Sequence, residues 1–488
     1  MNWLQNSIAI IISFLIARVM IDSDVHRSYV HHLLKKTRAN FSSFITGILL
    51  TAYFFSIFFS NTVVVLAMIP IIKIILEGIE DHKQRQTVST TVILALIYGA
   101  NIGGMGSLTG CPLNIMYAGI IEVYQLPGRE NVTFFSWLLL GIPATLVLIA
   151  VSRLVLKLAE KGMAVTNRIT IREKMPEIKN IKKYTVFFIL SMALLVILTA
   201  AQFWLKPGTI FYRLNPIDIL MILYLLGFLF FSFIFPRQEK TVIKYKKNLL
   251  FLILMVILFL PICLVEIVKS IILRFRLKGI PVVRKVDAGL LNFFNRVWFF
   301  LFKEKRQSLK AKNPHAFVSL NRLVYDLPFV GLLFMGLVLL VVFFIVKLGD
   351  NPATPQLDGY VLRFFQDFST TLVPSGEQVF LFLLVVVLVS IFFTEIVNNT
   401  AVVLIMFPLV LQMTSTLPLS PLFALLAVTI AASGAFMTPI ATPVNAIAFA
   451  SFRRVSLKRM LMLGFVLNIL SGLWVTLVFY FFGVLFKV

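Results

Sequence analysis

Cysteine, histidine and acid are all scarce in this sequence. Only two cysteines and five histidines occur in 488 residues. Cys111 and Cys263 both lie in apolar stretches, which excludes a disulfide framework and shows no metal-ligand spacing. The histidines all fall in the connections between apolar runs, so none is placed for chemistry inside an apolar layer. Acids number 21 against 45 Lys and Arg, and charged residues make up 14% of the chain. Soluble domains carry about a quarter, so a water-soluble globule is excluded. The glycines at 103–110 lack a strand–helix–strand context, which removes a dinucleotide-binding reading.

What the chain has instead is apolar length. Hydrophobic residues make up 59% of it, and the mean hydropathy is +0.95. Runs long enough to cross roughly 30 Å of hydrocarbon recur from end to end. The first, from Ile8, leads into a basic loop at 26–38 and not a small-residue cleavage site. It therefore reads as a retained helix and not a signal peptide. A net charge of +24 would suggest nucleic acid in a soluble protein, but these cations sit in loops between apolar runs. That is the positive-inside pattern of a protein facing anionic lipid, and it argues against a nucleic-acid partner.

One short segment occurs twice. Residues 61–70 read NTVVVLAMIP and residues 399–408 read NTAVVLIMFP, with seven of the ten positions identical. A second pair follows each copy: Gly110-Cys111-Pro112-Leu113-Asn114 and Ala441-Thr442-Pro443-Val444-Asn445. Apolar helices share Leu and Val by chance, but rarely two ordered polar motifs, and such repeats are a signature of secondary transporters. Ser60-Asn61-Thr62 and Asn398-Asn399-Thr400 are each flanked by apolar runs too short to span comfortably alone, which predicts hairpins with their tips at mid-membrane. The plainer alternative, polar residues bonding across packed helices, leaves the repetition unexplained. Gly103, Gly104, Gly106, Gly110 and Pro112 break one later helix, and Gly434, Pro439 and Pro443 break another. Unwound backbone in a membrane survives only when buried in protein or lining a wet cavity.

Loop charge orients the copies. Placing the basic loops at 26–38, 82–85, 153–183, 237–247 and 453–459 in the cytoplasm, and the acidic linker 348–378 outside, gives the two copies opposite orientation. The predicted fold is an all-α polytopic membrane protein, an inverted-repeat transporter with two re-entrant helical hairpins and two broken transmembrane helices. The first repeat, 1–180, has one scaffold helix (7–21), a hairpin at 42–79, a broken helix at 89–122 and a helix at 134–156. The second, 181–488, has helices at 185–205, 217–235 and 326–347, a hairpin at 378–413, a broken helix at 422–450 and a helix at 461–485. Within the second repeat lies a basic insertion, 236–325, cytoplasmic or interfacial, with 18 Lys and Arg against four acids. Residues 248–272 are long enough to span, but a re-entrant or interfacial position keeps the basic segment inside. Residues 290–302 read either as an amphipathic helix gripping anionic lipid or as part of a solvated loop.

These motifs resemble the divalent-anion/sodium symporter family of the ion transporter superfamily, over most of the chain except 236–325. The resemblance implies one sodium among Ser56, Ser60, Asn61 and the carbonyl of Gly110. A second would use Thr394, Asn399 and the carbonyls of Val397 and Ala441. The anion would rest near Ser60, Asn61, Thr62, Asn398, Asn399, Thr400, Thr442 and Pro443, with half-helix N-termini offering their positive ends. No Arg or Lys lies within the motifs, so bound cations and dipoles balance the substrate charge. Glu395, beside Thr394, is either a functional carboxylate or a structural hydrogen-bonding group.

Three departures from the family pattern stand out. Asn398 begins the second tip where Ser is usual, and Cys111 replaces a hydroxyl residue. A single helix precedes the first hairpin, so either the scaffold is reduced or Met1 is not the true start. The implied activity is sodium-coupled symport of a divalent anion, such as a di- or tricarboxylate, by an elevator-type mechanism. A sulfate or arsenite carrier or a sodium/proton antiporter of the same superfamily is the alternative. The reading expects no enzyme activity and no cofactor beyond sodium as coupling ion. It also expects contact with membrane lipid, a homodimer, and a multi-pass position in a plasma or bacterial inner membrane. An enzyme would need His, Asp or Glu gathered at membrane depth, and only Glu395 is present there.

Overall fold

The computed structural model describes residues 41–77, 82–160, 181–204, 220–225, 378–414, 419–452 and 455–485, with single positions 8, 11, 12, 16 and 417. The expected helices at 7–21, 217–235 and 326–347 lie outside these residues apart from positions 8, 11, 12, 16 and 220–225, as do the insertion 236–325 and most of the acidic linker. Among the described residues every regular element is helical. The helices are α1 (Phe41–Phe58), α2 (Asn61–Glu77), α3 (His82–Met105), α4 (Pro112–Val123), α5 (Phe134–Glu160) and α6 (Ile181–Trp204). Further along the chain come α7 (Gln378–Thr394), α8 (Asn399–Thr414), α9 (Pro421–Ser433), α10 (Pro443–Ser451) and α11 (Leu457–Leu485).

The chain divides into two compact units. The first comprises residues 1–6, 24–189 and 335–488 and carries α1–α5 and α7–α11. The second comprises 7–23 and 190–334; within it the Tyr224 hydroxyl donates to the Ser191 carbonyl at 2.7 Å.

Helix ends in the first unit follow local chemistry. Both α4 and α10 open on proline, whose missing N–H is an orphan at that position anyway. Helix α3 stops at the glycine cluster, where the Gly106 N–H turns back to the Gly103 carbonyl at 3.0 Å. Trp137 Nε1 donates to the Met105 carbonyl at 3.0 Å and so satisfies an acceptor at that frayed end.

Helix α3 is the centre of this unit. Its segment Val88–Met105 is wholly buried. Gly99 and Gly103, one turn apart, let α1 lie directly on it: a Cβ at Gly99 would overlap the Leu49 carbonyl, and one at Gly103 the Tyr53 carbonyl. Small residues four apart are the usual device for such close approach in lipid, where dispersion and not water exclusion drives helices together. On α5, Arg153 donates to Thr46 Oγ1 at 2.6 Å, tying α5 to α1, and pairs within its own helix with Glu160 at 2.9 Å.

The outer helices carry the opposite pattern. Among the described residues four helical segments, Phe41–Phe58, the central Val88–Met105, Phe134–Glu160 and Leu457–Phe482, are long and apolar enough to cross a membrane. Leu139, Leu146, Leu154 and Leu158 on α5, and Met462, Phe465 and Phe481 on α11, are exposed. So much uncovered apolar surface on long helices suits hydrocarbon and not water.

Candidate functional site

Four of the breaks between helices in the first unit carry the polar motifs. Phe59 and Ser60 separate α1 from α2, and residues 106–111 separate α3 from α4. Residues 395–398 separate α7 from α8, and 434–442 separate α9 from α10. Each interruption exposes backbone donors and acceptors that a buried location must satisfy, and the side chains divide that work.

In the first half, the Asn61 N–H donates to the Gly110 carbonyl at 3.3 Å, which ties the start of α2 to the break after α3. A Cβ on Gly110 would stand 2.6 Å from the Ser56 carbonyl and 2.8 Å from that of Gly104, so only glycine fits. Ser56 Oγ is fully buried and has no hydrogen-bond partner among the described residues. The Ser60 carbonyl accepts from Val63 and Val64, and Asn61 Oδ1 accepts from the Thr62 N–H at 3.1 Å. Ser56, Asn61 and Gly110 therefore adjoin, with an unpartnered hydroxyl oxygen beside them.

In the second half, Thr394 Oγ1 approaches Asn399 Oδ1 at 2.6 Å and the Ala432 carbonyl at 3.0 Å. Val397 lies in the tip, and Ala441 immediately precedes the N-cap of α10. No hydrogen bond among the described residues joins either to the Thr394–Asn399 pair. Asn398 is exposed; its Oδ1 accepts from the Thr400 N–H at 2.9 Å and caps α8. Thr442 Oγ1 caps α10 by accepting from the Asn445 N–H at 3.0 Å, with exposed Pro443 next in line. Cys111 holds the matching position before α4 but makes no side-chain cap.

The two breaks are built alike. Asn114 Nδ2 donates to the carbonyls of Gly104 and Ser107, at 2.9 and 2.6 Å. Asn445 Nδ2 donates to those of Ala435 and Thr438, at 3.0 and 2.9 Å, with the same sequence spacings. Ser107 Oγ donates to the Ile57 carbonyl at the end of α1, and Thr438 Oγ1 donates to the Glu395 carbonyl just after α7, at 2.7 Å. The helices that follow match as well: Thr145 bonds the Gly141 carbonyl and Thr476 the Gly472 carbonyl. The repetition extends beyond the two sequence motifs to the bonds that hold the unwound backbone.

Glu395 marks where the halves differ. One carboxylate oxygen accepts from the N–H groups of Phe436 and Met437 and from Asn468 Nδ2, all at 2.8 Å. The other accepts from the Thr438 N–H at 2.7 Å. Four donors surround a side chain that is 2% exposed, so this carboxylate holds the break in shape. The first half has Ile57 in the matching place, and there Ser107 Oγ accepts from the Gly110 N–H instead.

Sequence reasoning passed over Asn101, Ser107, Thr438 and Asn468. Asn101 and Asn468 left a signal, an amide inside an apolar helix, which is costly unless partnered. Ser107 and Thr438 left only their equal distances from the following Asn. Among the described residues no three His, Cys, Asp or Glu side chains gather as metal ligands, and the donors at the tips are neutral oxygens.

Breaks of this kind in a bundle of apolar helices define an α-helical integral membrane protein with a polar, unwound centre. Residues 4–297, more than half of the chain, match the family model described as citrate transporter. Residues 359–488 match the one described as the sodium:sulfate symporter transmembrane region. The sodium-dependent dicarboxylate transporter SdcS of Staphylococcus saprophyticus is 23% identical over 479 residues, covering 96% of this chain and 74% of that relative. SdcS of Staphylococcus aureus is 23% identical over 478 residues with the same coverage. The chain belongs to the divalent-anion/sodium symporter family, a family of transporters and not of enzymes.

Proposed function

We propose that the protein is a secondary active transporter coupling sodium to the movement of a divalent anion, with a di- or tricarboxylate as substrate. One observation carries the reading: in each half a helix N-terminus at a hairpin tip stands with neutral oxygen donors against a second, unwound helix. Sodium takes several oxygen ligands without needing a carboxylate. Ser56, Ser60, Asn61 and the Gly110 carbonyl supply one set, and Thr394, Asn399 and the carbonyls of Val397 and Ala441 supply the other. The anion lies against Ser60, Asn61, Thr62, Asn398, Asn399, Thr400, Thr442 and Pro443. The positive ends of α2, α8 and α10 and the bound cations offset its charge. With no Lys or Arg in the motifs, the anion binds weakly until sodium is present, which is the physical basis of coupling.

The two halves act as an inverted repeat with re-entrant hairpins, and the hairpin domain moves in an elevator-like way. The carrier resides as a homodimer in a plasma or bacterial inner membrane, with the basic insertion 236–325 on the cytoplasmic side, either solvated or at the lipid interface. Bacterial relatives named sodium-dependent dicarboxylate transporter support substrate and coupling ion together. Sulfate is the second reading, favoured by the match of residues 359–488 to the sodium:sulfate region.

Uptake of radiolabelled succinate, citrate and sulfate into proteoliposomes, with and without a sodium gradient, tests the proposal. An anion accumulating only under the gradient is the expected result; a gradient that drives protons and moves no anion would sink it. Asn61→Ala and Asn399→Ala should each abolish uptake at unchanged expression, and normal uptake in either would refute the site.

A further inference from the structure

Asn101 belongs to neither sodium set, yet it touches both halves of the site. It lies near the C-terminal end of α3 and is 1% exposed. Its Oδ1 accepts from Asn61 Nδ2 at 3.4 Å, at the first hairpin tip. Its Nδ2 donates to the Ala435 carbonyl at 2.9 Å and to Asn445 Oδ1 at 3.1 Å, inside the second break. From there the bonds continue. Asn445 takes its backbone cap from Thr442, and the loop from Phe436 to Thr438 is gripped by Glu395, the neighbour of Thr394. One turn before Asn101, Tyr98 packs edge-on to Phe436 with ring centroids 5.5 Å apart, which keeps α3 seated on that loop.

The link is not duplicated. By the spacing that pairs Asn114 with Asn445, the counterpart of Asn101 is Ala432, which has no side-chain amide. Its carbonyl instead accepts from Thr394. The first half thus reaches into the second through Asn101, while Asn114 Oδ1 remains buried and unpartnered among the described residues.

We propose that Asn101 is a positioning residue that couples the two sodium sites. The inference rests on the sodium assignment above. A sodium held by Asn61 Oδ1 draws electron density from that amide and makes its N–H a stronger donor. The long Asn61–Asn101 bond tightens, because hydrogen bonds in series polarise one another in a dry interior. Asn101 in turn holds Ala435 and Asn445 more firmly and fixes the loop that positions Ala441 and Thr442. Occupancy of the first site thereby raises affinity at the second, and by linkage the reverse holds.

The test is uptake by the purified full-length protein in proteoliposomes, with sodium varied at fixed tracer succinate, or tracer sulfate if that is what the wild type accumulates. The wild type should show a sodium Hill slope above one. In Asn101→Ala the slope should fall toward one and the sodium half-saturation rise about tenfold, within the usual range of coupling between sites. The anion KM at saturating sodium should move by less than about twofold. Asn101→Asp keeps the volume and an oxygen toward Asn61 but, ionised, offers no N–H to Ala435 or Asn445. It should lose the slope in the same way, which separates the link from packing.

A wild-type slope of one overturns the relay. So does a transporting variant of either kind that keeps the wild-type slope, or a uniform loss of maximal rate at unchanged slope. Wild-type protein that accumulates no anion under a sodium gradient refutes the functional reading instead. Sodium-driven uptake that is lost in Asn61→Ala but wild-type in Asn101→Ala refutes the relay alone.

Discussion

Replacing Glu395 is the most direct test of how the second helix break keeps its shape. In Glu395→Ala, the N–H groups of Phe436, Met437 and Thr438 and the amide of Asn468 lose their acceptor together. A buried donor left unsatisfied costs about 1–3 kcal/mol, so four of them total roughly 4–12 kcal/mol. That rivals the whole stability of a typical domain. Glu395→Gln is gentler. Its oxygen can serve Phe436, Met437 and Asn468, while its amide nitrogen faces the Thr438 N–H. The loss is one charge-assisted bond and a weakening of three others, offset by no longer burying a charge, about 2–4 kcal/mol in total. Thermal unfolding of the purified protein in detergent should therefore rank wild type above Gln above Ala. Sodium half-saturation should rise in the same order, because Thr394 is the adjacent residue and the loop leads into Ala441. An Ala variant that purifies with an unchanged midpoint and unchanged sodium dependence would refute the clamp. If Gln fell as far as Ala, charge and not the number of acceptors would be the deciding factor.

Two further substitutions probe the first half. Gly110→Ala drives a methyl group to 2.6 Å from the Ser56 carbonyl and 2.8 Å from that of Gly104, both backbone atoms that cannot step aside. Uptake should fall to background even where membrane expression persists, and wild-type sodium dependence would contradict the packing. Cys111→Thr supplies the cap that Thr442 provides before α10, and should raise the unfolding midpoint by an amount equivalent to about 0.5–1 kcal/mol. A fall in midpoint would mean that the sulfur contact with Ser433, at 3.8 Å, outweighs the missing cap.

The sequence alone determined that the chain is helical, that it belongs in a membrane, and where its helices are interrupted. Scarce charge and long apolar runs leave little choice of solvent. Gly110, Pro112, Gly434 and Pro443 mark the breaks because backbone freedom and a missing N–H are local properties. The twin motifs were equally legible, since ordered polar residues in apolar helices are too costly to keep without use.

Partnership was decided only by the tertiary structure. Glu395 reads from sequence as either a functional or a structural acid; the fold surrounds it with three backbone donors and Asn468, from segments 41–73 residues away, and makes it a clamp. Asn101 reads as one amide in a glycine-rich helix end, and the fold sets it against Asn61 on one side and Asn445, 344 residues on, on the other. Composition and spacing report what a residue can offer along its own helix. Which distant group accepts that offer depends on how the helices pack, and here the packing rests on Gly99 and Gly103 letting α1 settle onto α3.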